Sequence, residues 1–283
     1  MMKLRVLLGD HPHIAALRSG AVTSDLVEME FAAYTPTNKG FKPMVRDGAF
    51  DVSELAIVTF LMAKAYDKPI VLLPDVMMAR FQHGFAVTNP AAEIATPKDL
   101  EGKRVGIRSF TTTTGAWLRG ILANDYGVDL DAINWITFED PHVAEYIDTS
   151  TKAPAGRAIM RMLLDGELDA VLGEKSDDAR LRRLFPDVAA EEQAWFVRHG
   201  VVPVNHVTVV SKDLSDNHPD IVREVHRMLH ESRAAAVGQS PSFTDDELTR
   251  SLETIIKYSA QQCLIPRVYT VDELYDDVTL ALR

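Results

Sequence analysis

The sequence predicts an α/β protein of two lobes, hinged as a clamshell, with a cleft between the lobes and two strands that cross between them. Short apolar runs typical of strands alternate with longer helical patterns, which is typical of largely parallel sheets. The 283 residues are long enough for about two domains. Two strand-like runs end in polar segments, at 87–90 and 209–212, and these predict the crossings.

The individual elements follow from the local pattern of apolar residues. Strands are predicted over residues 4–8, 26–31, 70–73, 85–88, 104–107, 135–138, 170–172 and 207–210. Helices are predicted over 157–164, 177–184 and 219–237, the last from the helical spacing of Ile221, Val222, Val225, Met228 and Leu229.

The two crossings divide the chain into a discontinuous first lobe and a continuous second one. The first lobe is predicted to contain residues 1–87 and 209–283, and the second residues 88–208. A cleft between two hinged lobes is the expected place for a small ligand.

Composition excludes several classes of function. The net charge of −11 argues against a nucleic-acid partner, although a pocket could still be locally positive. No apolar stretch approaches the roughly 18 residues of a membrane span, and the apolar run at 6–8 is too short for a signal peptide. We therefore expect a cytoplasmic protein without a membrane partner. The single cysteine, Cys263, excludes an internal disulfide and is expected to pack rather than react.

Motifs along nearly the whole chain resemble a known family. Residues 99–106 and 165–171 resemble two turns of the type II periplasmic-binding-protein fold. A narrower set resembles the 4,5-dihydroxyphthalate decarboxylase family and comprises residues 53–55, Tyr66, 80–83, 117–122, 126–128, 200–206, 258–267 and 271–274. Two places depart from that pattern: the residues after Gly9-Asp10, and Cys263, which stands where the family has Gly.

The resemblance implies a carboxy-lyase of aromatic catabolism that acts on a hydroxylated, phthalate-type carboxylic acid. Protonation of the ring carbon that bears the leaving carboxylate, followed by loss of CO₂, requires an anion-binding site and an acid. No organic cofactor is required when ring hydroxyls donate electrons. The alternative is a solute-binding protein for a small carboxylate, in transport or sensing, which needs only the anion site. The sequence also allows a homo-oligomer.

The best candidate for the anion site is the turn at 109–115, after the strand 104–107 and before a helix predicted to begin near Ala116. Free N–H groups at a helix N-terminus, together with hydroxyls, bind carboxylates. The expected substrate-binding side chains are Ser109, Thr111, Thr112, Thr113 and Thr114. The alternative is simple N-capping by Thr113 or Thr114. Arg119, in the helix itself, is also expected to bind substrate by pointing towards this turn; the alternative is that it points outward.

Arg80, His83 and His206 fall on the family motifs. An arginine can bind a carboxylate through two hydrogen bonds, and an imidazole suits proton transfer near neutral pH. We expect Arg80 and Asn205 to bind substrate. His83 and His206 are candidate acids, with His206 facing His83 across the hinge. The alternative places Arg80 on a solvated face and His83 in the core.

Further polar residues follow strands in the first lobe. Asp10 is a catalytic candidate, and His11 a substrate-binding one, because ligands bind at the carboxyl ends of parallel strands. Glu54 is either the acid, with a pKa raised by burial, or a residue that caps a helix. In the second case the helix would begin at Leu55, with Ser53 as its N-cap residue. Ser53 is otherwise expected to bind substrate.

Three predictions concern other polar residues. Glu174 follows the strand 170–172 and is expected to contact the substrate. No metal is expected, but a divalent ion, if one binds, would use His11, His13, His83 and His206. His226 and His230 lie four residues apart on a predicted helix, yet their charged neighbours favour a solvated face over a metal site.

Overall fold

The structure is a computed structural model that describes residues 1–236 and 238–283. In chain order its strands are β1 (Met2–Leu7), β2 (Val27–Phe31), β3 (Val52–Ala56), β4 (Ile70–Ala79), β5 (Ala86–Thr88), β6 (Arg104–Ile107), β7 (Asn134–Thr137), β8 (Thr151–Lys152), β9 (Ala170–Leu172), β10 (Arg182–Arg183) and β11 (Val204–Ser211). Its α-helices are α1 (Ala15–Arg18), α2 (Phe41–Asp47), α3 (Ile57–Ala65), α4 (Thr113–Tyr126), α5 (Ile159–Leu164), α6 (Val188–His199), α7 (Lys212–Asn217), α8 (Pro219–Ala235), α9 (Asp245–Gln261) and α10 (Asp277–Leu280). Short 3₁₀ helices cover Pro12–Ile14, Thr37–Gly40, His83–Phe85, Pro90–Ala92, Pro97–Leu100, Leu130–Ala132 and Asp272–Leu274.

Internal packing divides the chain into two compact units. Unit 1 contains Met1–Ala79, Val204–Glu253 and Ile265–Arg283, and unit 2 contains Arg80–Pro203 and Thr254–Leu264. The two junctions therefore fall after residues 79 and 203, rather than after 87 and 208 as the sequence predicts. The segment Thr254–Leu264 packs with unit 2, although it falls within residues 209–283, which are predicted to belong to the first lobe.

Unit 1 is built on a five-stranded sheet with the order β2-β1-β3-β11-β4. β1 is parallel to β2 and β3, and β11 is antiparallel to both β3 and β4. β3 therefore lies in the middle of the sheet, and each of its residues is buried. A side chain on this strand can meet residues that follow β1 and residues of β11.

Helix α8 packs against this sheet through the apolar face that the sequence predicts. Its buried residues Val222, Val225 and Leu229 belong to one core with Leu4 and Val6 of β1. Burial of such side chains contributes roughly 1.5–3 kcal/mol each, which holds the helix in place. The predicted helix 219–237 agrees with the observed Pro219–Ala235; its last predicted residue, Val237, lies outside the described residues.

Unit 2 is built on a six-stranded sheet with the order β10-β5-β9-β6-β7-β8. Strands β9, β6, β7 and β8 are parallel, and β5 is antiparallel to both β9 and β10. Helix α4 follows β6 and packs Leu118 and Leu122 against Val105 and Leu172. The loops after β6 and β9 lie at the same edge of the sheet, because these two strands are parallel neighbours.

The second segment of unit 2 covers helix α4. The ring of Tyr258 packs edge-on against Trp117, with 5.7 Å between the ring centroids. A Cβ atom on Gly120 would lie 2.0 Å from the Tyr258 ring, so only glycine permits this contact. Gln262 completes the packing through a hydrogen bond with the Arg119 side chain. These contacts explain why Thr254–Leu264 belongs to unit 2.

Helix α9 ends in a Schellman motif at Cys263. The Leu264 N–H donates to the Ser259 carbonyl and the Cys263 N–H to that of Ala260. Cys263 has a φ of 54°, in the left-handed region that glycine occupies most readily. Gly127 and Gly200 hold the corresponding positions after α4 and α6. Cys263, which stands where the family pattern has Gly, therefore has a strained backbone conformation.

Two sequence predictions of secondary structure are wrong. Residues 177–184 do not form a helix: Asp178 instead binds the Arg180 backbone N–H and guanidinium in a local turn, and β10 follows. Asx turns of this kind compete with helix formation. Ser53 and Glu54 lie within a strand rather than after one. Strand β3 is not recognised from the sequence because these two polar residues interrupt its apolar pattern.

In the two described ranges, no helix is both long enough and apolar enough to cross a membrane.

Candidate functional site

The central polar group of unit 1 is built around Glu54 of β3. The Glu54 carboxylate is 1% exposed. Its Oε1 lies 2.6 Å from His206 Nδ1, and its Oε2 lies 2.9 Å from His11 Nε2 and 2.8 Å from the Gly9 backbone N. The carboxylate therefore joins two imidazoles and one backbone N–H.

The strand register explains why these residues meet. In the antiparallel pair of β3 and β11, His206 lies opposite Ala56, so His206 and Glu54 are diagonal neighbours on one face of the sheet. Gly9 and His11 follow the end of β1, which is the other neighbour of β3. A Cβ atom on Gly9 would lie 2.6 Å from His11 Nε2 and 2.8 Å from Glu54 Oε2. Glycine is thus needed for the close approach.

Glu54 is ionised in this arrangement. Burial by itself would raise the pKa of its carboxyl group, but the hydrogen bonds and charges of His11 and His206 outweigh burial and hold the pKa well below its usual value of 4.5. The prediction that Glu54 is the acid, with a pKa raised by burial, is therefore not supported. Its capping alternative is wrong as well, since Leu55 continues β3 and α3 begins at Ile57. Ser53 is buried, and its hydroxyl donates to the Glu54 carbonyl.

The Glu54 carboxylate fixes how each imidazole presents its second nitrogen. His11 gives Nε2 to Glu54 and keeps Nδ1 for another partner, whereas His206 gives Nδ1 and keeps Nε2. A carboxylate that holds one ring nitrogen sets the tautomer and the orientation of the ring. Both rings remain about one fifth exposed, with 20% for His11 and 19% for His206. The group can thus present two oriented proton carriers to a ligand.

The other two candidates after β1 differ from each other. His13 is buried and stacks on His11, with 5.1 Å between the ring centroids. Burial, together with the neighbouring His11, lowers the pKa of His13 to about 4, so its imidazole is neutral near pH 7. Asp10 is exposed to solvent next to Gly9. His13 therefore supports the His11 ring by packing.

In unit 2, the turn before α4 gathers hydroxyl groups. Ser109 Oγ and Thr111 Oγ1 are buried and lie 3.2 Å apart, and Thr112 Oγ1 donates to the Ser109 carbonyl. The helix begins at Thr113, three residues earlier than predicted, with Thr112 as its N-cap residue. The alternative of N-capping by Thr113 or Thr114 is therefore wrong. The first turn of α4 leaves backbone N–H groups that suit an anion.

Two arginines converge on this turn. Arg80 Nη2 donates to Thr114 Oγ1 over 3.2 Å, and its guanidinium lies 3.6 Å above the Phe85 ring. Arg119 is fully buried and points back towards the turn, where Nη2 donates to the Phe110 carbonyl over 2.6 Å. Of the two orientations considered for Arg119, the inward one is thus observed.

Each of these arginines keeps a buried N–H that has no hydrogen-bond partner among residues 1–236 and 238–283. The atoms are Arg80 Nε and Arg119 Nη1. Burial lowers the pKa of Arg80 to about 10 and that of Arg119 to about 9, so both guanidiniums remain charged near pH 7. A buried cation with an unsatisfied donor is costly unless an anion pairs with it. The turn, the hydroxyls and the two arginines therefore provide the kinds of donor that an anion site requires, and we refer to them together as the anion-binding element.

Glu174 lies after β9, at the sheet edge where the Ser109 turn follows β6. Burial raises its pKa above the usual value, and the nearby Arg108 only partly offsets this effect. A carboxylic acid with a raised pKa can hold a proton at a higher pH than usual. Glu174 therefore has the raised pKa that was predicted for Glu54.

His83 occupies an aromatic environment. Its ring is buried, with its centroid 5.0 Å from that of Phe185 and 6.4 Å from that of Trp195. Within the part of the chain that the structure describes, both ring nitrogens lack hydrogen-bond partners, and burial lowers the pKa of His83 to about 4. The prediction of His83 as the acid is not supported, because its imidazole is neutral and packs as part of the core. Asn205 is buried in β11, next to His206 in the chain.

The residues predicted as possible metal ligands are not the ones that the structure groups closely enough to bind a metal ion. Among residues 1–236 and 238–283, one group of His, Cys, Asp and Glu has three ligand atoms close enough to share an ion, namely Asp75, His226 and His230. None of the four predicted ligands belongs to it. Asp75 was not predicted at all, although a lone charged residue in the apolar run 70–79 is a usable signal, because a buried charge needs a partner.

Comparison with known proteins gives both curated relatives and similar folds. A protein named 4,5-dihydroxyphthalate decarboxylase from Comamonas testosteroni is 27% identical over 252 residues, which cover 83% of this chain and 76% of that protein. A protein of the same name from Pseudomonas putida is 26% identical over 211 residues, covering 69% and 81%. These matches confirm the resemblance that the sequence motifs carry.

The fold prediction is confirmed as well. The alkanesulfonate-binding protein SsuA from Xanthomonas axonopodis pv. citri, determined with bound MOPS, superposes with a TM-score of 0.61 over 97% of this chain and 98% of that one, at 13% identity. The chain thus has the α/β fold of type II periplasmic binding proteins. The family model described as "NMT1/THI5 like" matches residues 27–241. The chain belongs to the NMT1/THI5-like family.

Proposed function

We propose that this protein catalyses the decarboxylation of a hydroxylated, phthalate-type aromatic acid. One observation carries the proposal: the ionised Glu54 holds His11 and His206 so that each imidazole keeps a second nitrogen for proton transfer. A protein that only binds an anion needs positive charge and N–H donors, not a buried carboxylate that orients two imidazoles. General acid catalysis by a positioned imidazole contributes about 10²–10⁴-fold to a rate.

The reaction follows from the chemistry of these groups. Protonated His206 or His11 transfers its outer proton to the ring carbon that bears the leaving carboxylate, and a new C–H bond forms. The bond between that carbon and the carboxylate then breaks, its electron pair returns to the ring, and CO₂ leaves. Ring hydroxyls stabilise the cationic ring before CO₂ loss restores aromaticity. Glu54 stabilises the imidazolium before transfer, and solvent returns the proton afterwards.

The anion-binding element of unit 2 is proposed to bind a carboxylate of the substrate. Arg80 and Arg119 supply charge, and Ser109 and Thr114 supply hydroxyls next to the N-terminus of α4. Charge-assisted hydrogen bonds to a carboxylate are about twice as strong as neutral ones. Glu174, with its raised pKa, is a second proton donor at the same sheet edge.

The names of the curated relatives support the choice of substrate. Both relatives are named 4,5-dihydroxyphthalate decarboxylase, and their matches cover most of this chain. We therefore propose 4,5-dihydroxyphthalate as the first compound to test, with a catechol-type monocarboxylic acid and CO₂ as products.

The proposal is tested by incubating the purified protein in D₂O with hydroxylated phthalates and benzoates. We expect release of one CO₂ per molecule of 4,5-dihydroxyphthalate, and one deuterium in the product at the carbon that lost its carboxylate. Mass spectrometry and NMR measure both. Absence of CO₂ release across the whole panel, from protein with a normal thermal unfolding transition, would contradict the proposal.

A second candidate is a non-catalytic solute-binding protein for a small carboxylate. It is favoured by the fold shared with a sulfonate-binding protein and by the unpaired donors of Arg80 and Arg119. Calorimetric binding of a panel compound without turnover would support it. The predicted cytoplasmic location also separates the two candidates, because cell fractionation would find a transport component outside the cytoplasm.

A further inference from the structure

A second cluster of ionisable residues lies in unit 1, outside the Glu54 group. It joins Asp75 of β4 to His226 and His230 on helix α8. The two histidines are four residues apart, so they project from the same face of the helix. The charged neighbours of the two histidines predict a solvated face, but this is wrong for His226, whose side chain is only 14% exposed.

The buried carboxylate is the centre of this cluster. Asp75 is 0% exposed, and its Oδ2 lies 2.8 Å from His226 Nδ1. Its Oδ1 has no hydrogen-bond partner among the described residues. His230 Nε2 lies 3.8 Å from that oxygen, and Arg233 Nη1 lies 3.5 Å from it. A fully buried carboxylate oxygen without a hydrogen bond is costly, so its position beside two imidazoles needs an explanation.

The spacing of the three side chains suits a metal ion. Each residue offers one ligand atom, and these atoms all lie within 4.8 Å of one another. Around a tetrahedral zinc ion, bond lengths of about 2.0–2.1 Å place ligand atoms roughly 3.3 Å apart. Small rotations of His230 and His226 would close the difference. Two imidazoles and one carboxylate form a donor set that divalent transition metals of the zinc class bind.

The surroundings leave room for an exogenous ligand. His226, His230 and Arg233 line a cavity of about 150 Å³, whose other walls include Phe243 and Leu248. That volume exceeds what a single water molecule needs, so the cavity can hold water or a small anion. A water or small anion in the cavity could occupy a further coordination position, and an anion would balance the charge of Arg233.

We propose that Asp75, His226 and His230 bind one divalent transition-metal ion, whose open coordination position faces this cavity. The site is separate from the proposed decarboxylase chemistry, which uses none of these residues. Asp75 and His226 supply a buried anchor, and His230, with 58% of its side chain exposed, completes the set from the solvent side.

Cobalt(II) provides the test, because its visible absorption reports coordination by protein ligands. The full-length protein is stripped with a chelator and titrated with Co²⁺, and bound Co²⁺ is then displaced by Zn²⁺. We expect saturation of this site at one equivalent and a rise in the unfolding temperature of the wild-type protein with Zn²⁺. In His230→Ala and in His226→Gln, the affinity of this site for Co²⁺ should fall by more than about 10–100-fold, which is the cost of losing a residue that only hydrogen-bonds to a metal ligand.

His199→Ala is the matched control, since His199 pairs with Asp125 over 2.8 Å in unit 2. This variant should bind as many equivalents as the wild type. Because His230 is exposed, its variant is expected to fold, and circular dichroism checks this. Wild-type protein without saturable binding, or equal binding by His230→Ala and the wild type, would overturn the proposal and leave Asp75 as a buried ion-pair partner of His226 and Arg233.

Discussion

His206 Nδ1 lies 2.6 Å from Glu54 Oε1, although 152 residues separate the two in the chain. The contact is made by the pairing of β11 with β3, so the sheet itself brings the imidazole to the carboxylate. A hydrogen bond anchored in two adjacent strands is preorganised, which is what an oriented acid requires. The first predictions concern this pair.

Replacing Glu54 with Gln should lower turnover while leaving the sheet intact. The amide keeps the shape of the side chain but removes the charge that stabilises a neighbouring imidazolium. We expect kcat to fall by about 10²–10⁴-fold, with a smaller change in KM. Asp51→Asn is the matched control, because Asp51 pairs with Arg5 at the sheet edge. Equal kcat values for Glu54→Gln and the wild type would remove Glu54 from the mechanism.

The two imidazoles can be tested separately with amide substitutions that keep their bonds to Glu54. In His206→Asn the amide nitrogen replaces Nδ1, and in His11→Gln it replaces Nε2. Each variant therefore retains the donor to Glu54 and loses only the outer nitrogen. The residue that is the acid should lose about 10²–10⁴-fold in kcat. His83→Leu should change stability rather than kcat. Wild-type rates in both imidazole variants would transfer the role to Glu174.

The pKa of Glu54 predicts a dependence of stability on pH. The folded pKa lies below the unfolded value of 4.5, so the unfolded chain binds more protons at acid pH. The stabilisation is therefore present above pH 4.5 and is lost as the pH falls. Between about pH 5 and pH 2, the free energy of unfolding of the wild type should decrease more steeply than that of Glu54→Gln. Urea unfolding at several pH values measures this, and parallel curves would contradict it.

Arg80→Ala should weaken binding of the substrate carboxylate. Hydrogen bonds to charged groups contribute about 1.5–3 kcal/mol, which corresponds to an increase in Kd of roughly 10–100-fold. Calorimetry with a non-reacting benzoate measures the change. Arg161→Ala is the control, since Arg161 pairs with Asp165 on the surface of the same unit. An unchanged Kd would show that Arg80 does not contact the ligand.

Cys263→Gly should stabilise the protein. An L-residue in the left-handed region costs about 1–2 kcal/mol, and glycine removes this cost. Part of the gain is lost again, because the unfolded chain has more conformational freedom at a glycine. We expect the free energy of unfolding to rise by roughly 0.5–1 kcal/mol. Cys263→Ala, which keeps a Cβ atom, should give no such gain. Denaturant unfolding of the wild type and both variants measures these free energies. An equal increase in Cys263→Gly and Cys263→Ala would instead assign the stabilisation to loss of the thiol.

The sequence predicted those parts of the fold that follow from local patterns. The strands β6 and β9 and the apolar face of α8 agree with the structure, because apolar periodicity is set within a few residues. The strand β3 was missed, since Ser53 and Glu54 are buried through contacts with distant residues. Local patterns carry no information about such partners.

The candidate site shows the same limit. His11, His206 and Glu54 were all predicted as site residues, but the sequence could not show that both imidazoles contact the Glu54 carboxylate. The expected acid, Glu54, is ionised because His11 and His206 approach it, and its pKa therefore moves opposite to the direction that burial alone predicts. Asp75 was missed because its partners on α8 are about 150 residues away in the chain.

The assignment of Thr254–Leu264 to unit 2 has a practical consequence for protein engineering. A gene fragment spanning residues 80–203 would encode the whole sheet of that unit, yet it would lack Tyr258 and Gln262, which contact Trp117 and Arg119. Helix α4 would then expose an aromatic surface and a guanidinium without its amide acceptor. Anyone isolating the anion-binding half should therefore fuse the later peptide back onto it through a linker.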